Sequence, residues 1–268
     1  MESVKTSVAE QIAEARARIA ELLLQIDDIV LQVNPQIEAK YATKIGYLEN
    51  DLLKWQIAAR RARRRCALAQ ARANVGEAFA PDEFDAQLDE ELAEWEGLLA
   101  ASVEAFLRAA ERMAGSKPLS PSDSRELKRL HRELIKRLHP DLHPGQPDEA
   151  VRFFAVAQAA YERGDLEVLR AVAVGTEGMG EGSGGAELPE DEAAMELEIV
   201  LAHERVVEQQ LRELKESNPF ALGEKLDDGA WVIRRTSELK AQIEEQKAAA
   251  RAYDERFREL AEGGGNGC

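Results

Sequence analysis

The residues best placed to do chemistry crowd into one stretch. His131, His139 and His143 stand with Asp141 inside thirteen residues. Three imidazoles and a carboxylate first suggest a metal, and zinc takes three or four fixed ligands. The spacing of His139 and His143 would align them on a helix, but Pro140, Pro144 and Pro147 forbid a helix there and no cysteine is near. Metal binding is not expected. Ser-His-Asp catalysis fares no better, because no glycine-framed serine is present. The glycine-rich run 175–191 is acidic and does not match a phosphate-binding loop or a dinucleotide fingerprint. No enzyme activity and no cofactor are expected. What remains is a proline-fixed turn, His139-Pro140-Asp141, which would hold one imidazole and one carboxylate in a set geometry for a partner.

A basic helix must position that turn. Leu127, Leu130, Leu134, Ile135 and Leu138 form its apolar face. Arg125, Lys128, Arg129, Arg132, Lys136 and Arg137 oppose only Glu126 and Glu133, so this helix is positive inside a chain of net charge −16. Ser116 to Pro121 breaks the chain before it, and Ser122-Asp123-Ser124 offers an N-cap. Beyond the turn the prolines impose a constrained loop to Pro147. Asp148-Glu149 then opens a second helix carrying Phe153, Phe154, Ala157, Ala160 and Tyr161. Gly164-Asp165 caps or interrupts it, and Leu166, Val168, Leu169 and Val172 continue as a short helix.

A basic helix, His139-Pro140-Asp141 and an aromatic helix with Ala160-Tyr161 together resemble the J-domain of DnaJ-like co-chaperones. The resemblance covers about 119–163, a sixth of the chain, and begins at Leu119-Ser120-Pro121. Arg132 and Arg137 match basic positions of the family's second helix. Phe154, Ala160 and Tyr161 match the face on which its third helix packs back, toward Leu130 and Leu134. The chain departs from the family at Leu138, Leu142 and Glu133, where tyrosine, lysine and a basic residue are usual. The family's first helix would have to come from the end of the segment 82–114. The resemblance implies binding to a DnaK-type ATPase chaperone and stimulation of its ATP hydrolysis. Asp141 would pair with a cation, His139 would orient the loop, Pro140 would hold its shape, and Lys128, Arg129, Arg132, Lys136 and Arg137 would steer onto an acidic partner surface.

The rest of the chain reads as long helices. Residues 6–33 carry Ile12, Ile19, Ile26 and Val33 every seven places, and Asn34-Pro35 should end that helix. Residues 36–74 carry a heptad seam from Tyr41 through Ile45, Leu48, Leu52, Trp55, Ala59, Ala62 and Cys66 to Ala69, which demands a partner helix. Asn74-Val75-Gly76 should stop it. Residues 82–114 form a third helix with Phe84, Leu88, Leu92, Trp95, Leu99, Val103, Phe106, Ala110 and Met113 on one face. Short connections favour antiparallel neighbours. Residues 192–216 and 224–262 carry seams through Val207 and Leu211 and through Leu239, Ile243 and Phe257. The Asn218-Pro219 turn between them suggests an antiparallel hairpin. Arg60, Arg61, Arg63, Arg64 and Arg65 resemble a nucleic-acid patch, but the next helix opens on Asp82, Glu83, Asp85, Asp89, Glu90 and Glu91. Antiparallel packing would set those acids against the arginines, and this is the reading preferred.

Composition fits this picture. The chain is 44% hydrophobic but 5% aromatic, with Asp and Glu at 51 against Lys and Arg at 35. That favours long helices and disfavours binding to nucleic acid or an anionic membrane. No apolar run is long enough to span a bilayer, no secretory leader is visible, and two scattered cysteines suit a reducing compartment, so a cytoplasmic location is expected. The expected fold is all-α. It comprises an N-terminal helical hairpin or three-helix region (1–115), a J-like helix–loop–helix (116–174), a flexible acidic linker (175–191), a C-terminal antiparallel coiled-coil hairpin (192–262) and a disordered tail (263–268). The expected function is a J-domain co-chaperone or adaptor whose coiled-coil arms recruit client proteins or set a homo-oligomeric state. The alternative is a non-catalytic scaffold with an inactive J-like segment.

Overall fold

Three helix starts in this chain are set by the short polar side chains of Ser7, Ser120 and Asp165. Ser7 and Glu10 form a capping box, each side chain accepting from the other's backbone N–H, and open α1 (Val8–Asp28). The computed structural model describes residues 7–115, 119–179 and 189–264. Residues 180–188 of the expected linker, Cys268 and the side chain of Met113 lie outside the described residues. Among those described, every regular element is helical, as the all-α expectation requires.

The expected stop at Asn34-Pro35 does not occur. Ile29–Val33 widens into a π-turn, the Asn34 N–H bonds to Ile29 O, and α2 (Asn34–Tyr41) follows directly. The wider turn resets the ladder, so Pro35 sits in the first turn of a new helix where its missing N–H costs least. A second π-turn, Ala42–Gly46, leads into α3 (Tyr47–Asn74), which ends at Gly76 with φ 72°. Next come α4 (Asp85–Gly115), α5 (Pro121–Leu138), α6 (Asp148–Arg163), α7 (Leu166–Gly175), α8 (Glu190–Glu216), α9 (Leu222–Asp227) and α10 (Gly229–Gly264).

The chain forms two compact units, each built from discontinuous segments: residues 1–37 with 114–223, and 38–113 with 224–268. This corrects the expected division into consecutive domains. The C-terminal segments 192–216 and 224–262 do not act as one hairpin either, because α8 takes α1 as its partner and α10 takes α3.

In the first unit α1 and α8 run parallel. Arg16 pairs with Glu196 and Arg18 with Glu204, at sequence separations of 180 and 186. Ile19, Leu23 and Val207 from this pair join Leu127, Leu130, Leu134, Leu138, Phe154, Tyr161 and Leu169 in one core. The helix laid against α5 is therefore α1, not the end of the segment 82–114.

In the second unit α3 and α10 also run parallel. Glu49 accepts from Arg235, Arg65 pairs with Asp254, and Gln70 accepts from Arg256, at separations of 186, 189 and 186. Ile45, Leu48, Ala59, Ala62 and Ala69 of the α3 seam are buried, as are Leu239, Ile243, Ala250 and Phe257 of α10. α4 runs antiparallel to α3. Arg61 binds Asp85 and Asp89, and Arg64 grips Glu91 with both nitrogens. The expected face is buried at Phe84, Leu88 and Leu92, while Leu99 and Phe106 are half-buried and Val103 is exposed.

Candidate functional site

Helix α5 begins one turn earlier than its expected cap. Ser120 accepts from the Asp123 N–H, and Pro121 occupies the first helical position. The apolar spacing then buries Leu127, Leu130, Leu134, Ile135 and Leu138 and ends the helix at His139. α6 closes at Gly164 (φ 69°), where a Cβ would also meet Leu119 at 3.4 Å, and Asp165 caps α7 through the Val168 N–H. Leu130, Leu134, Phe154, Ala160 and Tyr161 are all buried in one core.

The turn is held from four sides. His139 Nδ1 accepts from the Asp141 N–H at 3.1 Å, and its ring stands edge-on to Phe154 with centroids 4.9 Å apart. The Leu142 and His143 N–H groups both bond to His139 O. His143 Nε2 lies 2.8 Å from Lys136 O, and the Gln146 amide donates to Leu138 O, so two of the last helical carbonyls are satisfied by loop side chains. Burial holds the His139 imidazole below its ordinary value of 6.5, against the opposing pull of Asp141 and Asp27. Pro140 is half-buried, whereas the Asp141 carboxylate is exposed and lies 3.5 Å from His203 Nε2 of α8. The imidazoles of His139 and His143 turn to backbone atoms rather than to each other. Among the described residues no three metal-ligating side chains gather.

The basic side chains divide. Lys128 lies 3.3 Å from Asp28, and Glu21 takes both Arg132 at 3.2 Å and Lys136 at 3.4 Å. Arg129 pairs with Glu133 on its own helix. All four cations remain exposed at the surface. Arg137 is the exception to the expected partner-facing set. Its guanidinium turns inward and donates to Ala173 O at 2.8 Å and Thr176 Oγ1 at 3.1 Å, so it closes the last turn of α7.

A buried polar cluster joins α1 to this helix pair. His131 is fully buried and stacks flat on Tyr161, with ring centroids 3.8 Å apart. Its Nε2 lies 3.2 Å from Asp27, whose carboxylate also accepts from Gln158. Tyr161 donates to Asp28 at 2.8 Å, and both burial and that bond push its phenol pKa up. Sequence reasoning weighed His131 as a metal ligand and passed over Glu21, Asp27, Asp28, Gln158 and His203. One signal was present: His131 falls between Leu127, Leu130 and Leu134 on the apolar stripe.

No protein-family model, no curated protein and no solved structure matches the chain.

Proposed function

We propose that α5, the His-Pro-Asp turn and α6 form a J-like module that docks on a DnaK-type ATPase chaperone in the cytoplasm and stimulates its ATP hydrolysis, with the parallel helix pairs serving client or partner proteins. The protein itself catalyses nothing. One observation carries this reading: the Asp141 carboxylate is presented to solvent by a turn that His139, His143, Gln146 and Phe154 fix from within. A fixed, exposed carboxylate beside a basic helix is a preorganised docking group, so little conformational freedom is lost when a partner cation binds. Docking exchanges internal ion pairs for intermolecular ones, since Lys128, Arg132 and Lys136 begin paired with α1. The test is single-turnover ATP hydrolysis by a DnaK-type chaperone with the wild-type chain and with His139→Gln. Stimulation by the wild type and its loss in the variant are expected, and equal effects from both end the reading.

A second reading is a scaffold with an inactive J-like module. The inward turn of Arg137 and the engagement of three cations by Glu21 and Asp28 favour it. It predicts no stimulation by either protein.

A further inference from the structure

The arginine run 60–65 divides into two sets. Arg61, Arg64 and Arg65 are held by Asp85 and Asp89, by Glu91 and by Asp254. Arg60 and Arg63 have no carboxylate partner among the described residues. Gln56, Arg60, Arg63 and Ala67 recur at helical spacing, so they share one face of α3. That face borders a cleft of about 670 Å³ between α3, α4 and α10, whose lining also includes Ala59, Trp95, Ala249 and Tyr253. The Arg60 guanidinium lies over the Trp95 ring, 4.3 Å from its centre.

The electrostatics of this cleft run against the rest of the chain. Acids outnumber bases by 51 to 35, yet no carboxylate lines it. Glu91 is gripped by Arg64, which lines the cleft, and also accepts from Gln87. A smaller cleft in the other unit is lined by Glu21, Glu204 and Glu208, and another beside α3 includes Glu83. Arg64 is neutralised by Glu91, but the Arg60 and Arg63 guanidiniums border the same space without a carboxylate partner among the described residues and repel each other. An anion relieves that repulsion. Guanidinium forks match phosphate oxygens two at a time, while an aromatic face and a stacked guanidinium accept a flat ring. The volume lies in the range typical of small-molecule sites.

We propose that this cleft binds a nucleoside phosphate, with the phosphate held by Arg60 and Arg63 and the planar base laid against Trp95 and Tyr253, Gln56 and Gln246 offering amides to its edge. The site belongs to the other unit and does not depend on the J-like reading.

The test uses the full chain in magnesium-free buffer. AMP, ATP and inorganic phosphate are each titrated, with tryptophan fluorescence and calorimetry as readouts. Saturable binding of AMP and ATP, each tighter than inorganic phosphate, is expected. Arg60→Gln with Arg63→Gln should weaken AMP about tenfold or more, the scale of a lost charge-assisted contact. Both residues are exposed, so the double variant keeps the fold, and its circular dichroism and melting curve check that. Arg205→Gln with Arg212→Gln, which removes equal charge from exposed positions of α8 in the other unit, should leave binding unchanged. Trp95→Leu should bring AMP down to the level of inorganic phosphate. The proposal is overturned by absence of saturable AMP binding at millimolar concentration, by equal loss in the charge-matched control, or by binding of a single-stranded oligonucleotide with none of AMP.

Discussion

The two units use one device and cover it differently. Each contains a parallel helix pair at a sequence separation close to 186, α1 with α8 and α3 with α10. In the second unit the added element is α4, held beside α3 largely by exposed arginine–carboxylate pairs and a short apolar patch at Phe84 and Leu88. In the first it is the α5–α7 module, which shares a core with the pair and adds a buried polar cluster around His131. Exposed ion pairs are screened and contribute little, whereas removing one partner of a buried polar pair such as His131–Asp27 is costly. The first arrangement therefore fixes one docking geometry, and the second mainly keeps charged faces compatible.

That contrast can be broken by substitution. The largest effect is expected from Tyr161→Ala, which removes the ring under His131 and the donor to Asp28. A loss of about 3–5 kcal/mol in the denaturant-unfolding free energy is expected. Next, Asp27→Ala leaves His131 buried without its acceptor and should cost about 1–3 kcal/mol. Its counterpart in the second unit, Arg61→Gln, should cost under about 1 kcal/mol. Equal losses for this pair would end the distinction between the two modes of docking.

A smaller effect is expected at Glu21. Glu21→Gln releases Arg132 and Lys136, and stimulation of the partner ATPase should rise about two- to fivefold at low salt, the factor set by a surface pair worth under about 1 kcal/mol. An unchanged rate across salt concentrations would show that these pairs do not compete with docking.

The smallest effect concerns acidity. The His139 pKa is depressed in the folded chain, so the unfolded chain binds more protons below its ordinary value of 6.5. Stability contributed by neutral His139 is present above about pH 6.5 and falls as the pH drops toward the folded value. Melting temperatures recorded from pH 7.5 to 5 should show this decline in the wild type and less of it in His139→Gln.

Much of this was legible in residue spacing. The heptad seam from Tyr41 to Ala69, the core positions Leu130, Leu134, Phe154 and Tyr161, the proline-fixed turn and the pairing of Arg61 and Arg64 with the acids of α4 all follow from local periodicity and charge. Partner choice did not. Seams of Leu, Ile, Val and Ala look alike, so 8–28 and 190–216 carry no local sign that they belong together. Their register depends on pairs such as Arg18 with Glu204, whose members lie 186 residues apart. Pro35 misled because a π-turn before it absorbs the lost hydrogen bond. Arg137 misled because its position on α5 says nothing of the α7 carbonyl that claims it. His131 belongs to the buried stripe, and only its stacking on Tyr161 and its bond to Asp27 explain a histidine there.

The parallel pairing has a consequence for synthesis. When the ribosome has made the apolar seams of α1 and α3, their partners α8 and α10 do not yet exist, being about 186 residues further along. At about 5–20 residues per second, those seams wait for on the order of ten seconds or more before their parallel partners can cover them, although α5 reaches the α1 seam sooner. Through that interval Ile45 and Leu48 belong to a nascent chain whose hydrophobic stripe has not yet met α10.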